Sequence, residues 1–73
     1  MITPSQCRAA RAILGWTVKE LAKRAYTSPS TVVRFETEAH TANAMTIMAL
    51  RNALEAAGVR FTETGGIEPP KGD

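Results

Sequence analysis

The stretch TSPS, residues 27–30, constrains the fold of this chain more than any other. Pro29 disfavours helical geometry at the residue before it, so a helix over residues 18–25 must end ahead of Ser28. Ser28 followed by Pro29 is also a helix-start signal, because the serine can cap and the proline ring fits the first turn. The stretch therefore predicts a sharp corner between two short helices, residues 18–25 and 29–37.

Helix signals also lie on both sides of this corner. A capping box, TPSQ at residues 3–6, opens a helix that should end at Gly15. A second capping box at residues 17–20 opens the helix before the corner. Apolar residues then recur three and four apart over residues 45–57, which predicts another helix. The chain is therefore expected to be all-α, with four helices.

The last part of the chain has a different pattern. Val59 and Phe61 alternate with polar neighbours over residues 59–64, which favours a short strand or an extended arm. Glycines and prolines crowd the residues that follow, which predicts a flexible tail over residues 65–73. One helical domain, residues 1–64, with a short C-terminal extended segment and a tail is expected.

Composition excludes several classes of protein. With Cys7 as the one cysteine and His40 as the one histidine, no intramolecular disulfide and no Cys/His zinc site can form. Cys7 is interpreted as a small buried apolar residue. The apolar runs are too short or too interrupted by charge for a membrane span or a signal peptide, which predicts a cytoplasmic protein. No nucleophile–base set and no phosphate-binding glycine loop is present, so neither an enzyme nor a cofactor or metal is expected.

Charge is distributed unevenly along the chain. Residues 1–35 contain six basic residues and one acidic residue, a net charge of +5, whereas residues 36–73 contain three basic and six acidic residues, a net charge of −3. This polarity is expected if one face of the molecule meets phosphates. A scatter of solvated charges explains it equally well.

Residues 9–38, AARAILGWTVKELAKRAYTSPSTVVRFETE, resemble the Cro/C1-type (xenobiotic-response-element type) helix-turn-helix family of bacterial and prophage regulators. The resemblance continues more loosely through ALRNALEAAGVRF, residues 49–61. It implies a compact lambda-repressor-like bundle of four or five helices and a DNA-binding transcriptional regulator that acts as a homodimer. Helix 18–25 would then cross the DNA backbone, and helix 29–37 would be the recognition helix in the major groove of double-stranded DNA.

The resemblance also implies which residues read bases. The family's base-facing positions match Ser30, Val33 and Arg34, with Pro29 ahead of them. Arg34 could bond guanine with two hydrogen bonds, Val33 could contact a thymine methyl, and Ser30 could serve a base or a phosphate. Two alternatives stay open. Arg34 could touch a phosphate or pair with a glutamate, and Val33 could be packed in the core or at a protein interface.

Further positions match family roles in holding the backbone, the recognition helix or a second subunit. Arg11 and Glu36 match a salt bridge that joins the first helix to the end of the third. Val59 and Phe61 are candidates for a dimer interface, where association would cover them. Lys23 and Arg24 are interpreted as solvated charges, with contacts to DNA as the alternative. The residues expected to contact or position phosphates are Thr17, Lys19, Ser28 and Thr31.

Three positions depart from the family pattern. Tyr26 replaces the glycine of the corner, Val18 replaces a phosphate-binding glutamine, and Glu38 replaces a glycine after the recognition helix. Tyr26 and Val18 are more apolar than the family's residues, and Val33 is apolar as well. An alternative function is therefore a protein-interaction module that docks these three residues on another regulator or on RNA polymerase.

Overall fold

The computed structural model describes residues 2–37 and 42–71, and the departure at Glu38 and the histidine His40 lie outside them. In the described residues the chain forms four helices followed by a small hairpin, so the all-α prediction is confirmed. The elements are α1 (Pro4–Leu14), α2 (Val18–Arg24), α3 (Pro29–Thr37), α4 (Ala44–Ala56), β1 (Arg60–Phe61) and β2 (Ile67–Glu68).

The first helix begins and ends where its local signals place it. Thr3 accepts a hydrogen bond from the Gln6 amide at 3.1 Å, and the Gln6 side chain accepts one from the Thr3 amide at 2.9 Å. Both halves of this capping box are therefore formed. Gly15 ends α1 in the left-handed region, at φ 71°, which glycine adopts without steric cost.

Only half of the second capping box forms. The Thr17 hydroxyl caps α2 by accepting a hydrogen bond from the Glu20 amide at 3.1 Å. The Glu20 carboxylate is bonded to Arg24, one turn further along the same helix. An ion pair at this spacing therefore replaces the reciprocal bond that the sequence pattern predicts.

The corner between α2 and α3 combines a cap with a strained residue. Ser28 accepts a hydrogen bond from the Thr31 amide at 3.2 Å, which satisfies one of the amides left unpaired at the start of α3. Tyr26 has φ 58° and is the only non-glycine residue of the described ranges at positive φ. The corner thus keeps the left-handed turn that the resemblance implies, although a tyrosine there costs about 1–2 kcal/mol.

All four helices contribute to one core. Asn43 caps α4 by accepting from the Thr46 amide at 2.8 Å, and α4 lays one apolar stripe over α1 and α2. Small alanines on α1 and α2 let the helices approach closely. The buried apolar side chains are Ile2, Cys7, Ala10, Leu21, Ala22, Ala25, Val32, Phe35, Leu50, Leu54 and Val59.

The tail predicted to be flexible contains the second strand of a hairpin. Ile67 and Glu68 pair antiparallel with Phe61 and Arg60, so the expected domain boundary at residue 64 falls inside this hairpin. Its turn is closed by the Thr62 hydroxyl, which accepts from the Gly66 amide at 2.8 Å. Glycine and threonine here form a specific turn, a role that composition alone does not separate from flexibility.

Residues on both sides of the hairpin attach it to the helices. The Gln6 side-chain amide donates to the Gly66 carbonyl at 3.4 Å. Pro70 lies against Gly58, where an added Cβ would come within 2.9 Å of the proline ring. The hairpin is therefore continuous with the helical domain.

Val59 is not available to a second subunit. Its side chain is 1% exposed and belongs to the core of a single chain. Phe61 is half-buried, and its strand is already paired with β2. The expectation that association covers Val59 is therefore wrong, because the chain's own helices already cover it.

No helix of the described ranges is long and apolar enough to cross a membrane.

Candidate nucleic-acid interface

One face of α3 points away from the core. Val32 and Phe35 are fully buried, whereas Ser30, Val33 and Arg34 are exposed on the other side of the helix. Val33 is 46% exposed, so the alternative that it is a core residue is wrong. The three residues implied to read bases therefore lie on one accessible surface, because positions three and four apart share a helix face.

The start of α3 is organised by Ser28 and Thr31. Their hydroxyl oxygens lie 2.8 Å apart, and the Ser28 oxygen also receives the Thr31 amide. Both hydroxyls therefore first serve the corner itself. Each oxygen keeps further hydrogen-bonding capacity toward solvent, because a hydroxyl has one donor and two acceptor sites.

A shallow groove separates α2 from α3. It is lined by seven residues of α2, the corner and the start of α3: Thr17, Lys19, Glu20, Ala22, Lys23, Thr27 and Pro29. Among the residues that the structure describes, neither lysine forms an ion pair. The groove therefore carries two lysines and one carboxylate beside the exposed face of α3, and its two ammonium groups can meet phosphates.

Arg34 has neighbours that the sequence did not predict. It lines a small recess with Thr31 from its own helix and with Asn43 and Thr46 from the start of α4. Asn43 was identifiable only as a polar residue before an apolar periodic segment, the pattern of a helix cap. The start of α4 and the exposed face of α3 therefore belong to one surface.

Arg11 and Glu36 form a two-pronged ion pair. The Arg11 Nε atom lies 2.9 Å from Glu36 Oε2, and Nη2 lies 2.9 Å from Oε1. Arg11 Nη1 also donates to the Trp16 carbonyl at 3.1 Å, directly before the residue that caps α2. The hydrogen bonds that Arg11 donates to Glu36 raise the pKa of Arg11 above its ordinary value. Arg11 therefore connects α1 to both helices of the candidate interface.

Two more side chains of α1 contact Glu36, and the sequence analysis missed both roles. The Cys7 thiol donates to Glu36 Oε2 at 3.3 Å, and the Arg8 guanidinium donates to the Glu36 carbonyl. Burial, followed by the contact with Glu36, raises the pKa of Cys7 above its ordinary value. The available signal was the spacing of residues 7, 8 and 11, which places them on neighbouring positions of one helix.

Arg24 is already engaged within the protein. Its guanidinium carbon lies 4.4 Å from the centre of the Trp16 ring, and its Nε atom contacts Glu20. The Arg24 side chain is nevertheless 53% exposed, so its interpretation as a solvated charge stays a prediction. Lys23 is exposed in the groove, as expected for a charge on the surface.

The apolar surface of the alternative function is only partly present. Tyr26 is 97% exposed and Val33 is 46% exposed. Val18 is half-buried and packs against the core, so it does not extend this surface.

Within the described ranges, no three side chains of His, Cys, Asp or Glu are grouped to hold a metal ion.

The helical bundle, the sharp corner between α2 and α3, and the exposed face of α3 define a class of small DNA-binding proteins. The chain belongs to the Cro/C1-type helix-turn-helix family, whose model matches residues 8–57. The match includes all four helices apart from the first residues of α1. No curated protein and no solved structure matches the chain. The family indicates a DNA-binding regulator.

Proposed function

We propose that the chain is a sequence-specific transcriptional regulator that reads the major groove with α3. The observation that carries the proposal is the exposed face of α3, on which Ser30, Val33 and Arg34 lie together. A B-form major groove is wide enough for one helix, and each base pair presents a distinct pattern of donors, acceptors and methyl groups there. If α3 keeps a constant angle to the rest of the bundle, its exposed side chains can therefore discriminate between DNA sequences.

Each side chain of this face has chemistry for a different feature of the groove. The Arg34 guanidinium donates two parallel hydrogen bonds to the N7 and O6 atoms of guanine. Val33 contacts a thymine methyl, and Ser30 serves a base or a phosphate. Lys19 and Lys23, in the groove beside α3, neutralise the phosphates that flank the bases.

The regulator works as a homodimer on a two-fold symmetric site. One domain of this size contacts few base pairs, and a second copy on the adjacent half-site supplies the affinity that a single copy lacks. Each α3 then enters one of two successive major grooves on the same side of the duplex, about 34 Å apart.

The experiment begins with selection of a preferred duplex from a random pool, followed by fluorescence anisotropy on that duplex and on an unrelated one. Arg34→Ala should reduce the preference between them by about 1–3 kcal/mol. Arg60→Ala, which removes the same charge from the hairpin, is the matched control and should keep the preference. If the folded protein binds neither duplex even at low salt, the proposal fails.

Salt dependence tests the role of the lysines. The logarithm of the binding constant should fall linearly with the logarithm of salt concentration, because bound cations release counterions from DNA. Lys19→Ala and Lys23→Ala should each make this slope shallower by about one unit on every sequence. A slope that both variants leave unchanged would remove the two lysines from the interface.

A second candidate function is favoured by one observation, the almost complete exposure of Tyr26. An aromatic residue on a strained, projecting turn suits docking to a protein such as another regulator or RNA polymerase. The two functions are separated by comparing Tyr26→Ala with Arg34→Ala. Loss of partner binding in the first variant only, with DNA binding intact, would establish protein docking.

A further inference from the structure

Glu36 is a buried carboxylate at the end of the helix that is proposed to read DNA. Its side chain is 5% exposed, and an isolated carboxylate there would be strongly destabilising. The Glu36 carboxylate can therefore be accommodated only if its oxygens accept hydrogen bonds from nearby donors. Arg11 supplies two, one to each oxygen.

A third donor also comes from α1, one turn before Arg11. The Cys7 Sγ atom lies 3.3 Å from Glu36 Oε2, the same oxygen that receives Arg11 Nε. Cys7 is fully buried, and its sulfur is the one polar atom of its side chain. An apolar residue at this position would leave part of Oε2 facing hydrocarbon, which is the costly arrangement for a charged acceptor.

We infer that Cys7 is a positioning residue for α3, whose thiol, and not its volume alone, holds Glu36 at one place on α1. This inference rests on the proposed function, because it assigns Cys7 a part in sequence reading. Arg11 reaches Glu36 with a long, partly exposed side chain, whereas the thiol is attached one bond from the α1 backbone. Cys7 therefore limits how far the end of α3 can slide along α1.

A matched pair of variants separates the thiol's hydrogen bond from its volume. Cys7→Ser keeps a donor, and Cys7→Ala removes it, while both are smaller than cysteine. If Cys7 only fills space, alanine is tolerated at least as well as serine, because a buried hydroxyl without a partner is destabilising. If the donor is needed, the order is reversed.

The first readout is sequence preference, measured as the ratio of binding constants for the selected and unrelated duplexes. A variant that only unfolds more easily loses the same factor on both duplexes, so the ratio does not change. Cys7→Ala should lower the ratio by up to about fivefold, because a shifted α3 loses the equivalent of about one hydrogen bond to a base, and Cys7→Ser should restore most of it. An unchanged ratio in Cys7→Ala would overturn the positioning role.

The second readout needs neither DNA nor a folded Cys7 variant. The chain has a single cysteine, so its S–H stretching band in the infrared belongs to Cys7 alone. The band of the wild type should lie at lower wavenumber than that of a free thiol, and Glu36→Met should move it back. A wild-type band at the free-thiol position would overturn the inference. A wild type that binds DNA without sequence preference would instead overturn the proposed function, and with it the part of Cys7 in reading.

Discussion

The two ends of α3 are held in different ways. At the C-terminal end, Glu36 is buried and is contacted by three side chains of α1. At the N-terminal end, the hydrogen bonds of Ser28 and Thr31 within residues 2–37 and 42–71 run to each other and to the local backbone, beside the exposed, strained Tyr26. The polar contacts of the C-terminal end are thus tertiary, whereas those described at the N-terminal end are local.

This difference assigns separate duties to the two ends. Local caps decide where α3 begins, but they do not set its angle to the rest of the molecule. The contacts from α1 come from up to 29 residues away in sequence and help to set that angle, together with the packing of α3 on α2. We therefore expect changes at Glu36 and its partners to cost more than changes at the corner.

The largest effect is expected for Arg11→Met. This change leaves the buried Glu36 carboxylate without two of its donors, and losing one member of a buried pair costs about 3–5 kcal/mol. Urea unfolding followed by circular dichroism measures it. Arg24→Met is the control, because its exposed pair with Glu20 contributes less than about 1 kcal/mol. Equal losses in the two variants would contradict the comparison.

The next effect concerns pH. The pKa of Cys7 is raised above its ordinary value of 9.0, so the folded state keeps a thiol proton that the unfolded chain releases in alkali. Stability from this group is complete below pH 9.0 and decreases as pH rises further, by up to about 1.4 kcal/mol per pH unit. Urea titrations compare the wild type with Cys7→Ser, in which no thiol titrates. Parallel curves above that pH would show that Cys7 is not buried as a thiol.

A smaller loss is expected at the N-terminal end. Ser28→Ala removes the cap of α3 and should cost about 1 kcal/mol. Ser30→Ala, an exposed serine without a capping bond among the residues described, should change stability little. The midpoints of thermal unfolding give the difference. A loss as large as that of Arg11→Met would mean that the corner, and not α1, holds α3.

The smallest effect has the opposite sign. Tyr26→Gly removes the steric cost of positive φ, about 1–2 kcal/mol, but increases the entropy of the unfolded chain. A net stabilisation of less than about 1 kcal/mol is expected. Tyr26→Phe keeps the strain and should leave the midpoint unchanged. Destabilisation by glycine would show that the exposed ring makes contacts that matter for folding.

The elements that the sequence predicted well depend on neighbours within one helical turn. Pro29 and its preceding serine define the corner, and Gly15 ends α1, because caps and steric limits act locally. Of the capping box predicted at residues 17–20, only the Thr17 cap forms, because the Glu20 side chain pairs with Arg24 one turn further along α2.

The features that were missed depend on residues distant in sequence. In the sequence, Cys7 cannot be distinguished from any other small core residue, because its contact with Glu36 exists only in the folded chain. The sequence of the hairpin has the composition of a flexible tail. The contacts that order it, from Gln6 to the Gly66 carbonyl and from Pro70 to Gly58, join residues that the sequence alone does not bring together. Positions on a helix face could be predicted for Ser30, Val33 and Arg34, but the recess that Arg34 shares with α4 requires the packed fold.

Trp16 has a consequence for how this molecule can be studied. It is the sole tryptophan, its ring carries the Arg24 guanidinium, and its carbonyl is held by Arg11. It also adjoins Thr17, which lines the groove between α2 and α3. Its intrinsic emission is therefore sensitive both to the bundle interior and to the groove, so that loosening of α1 and binding of a polyanion can each be followed by tryptophan fluorescence without any attached dye.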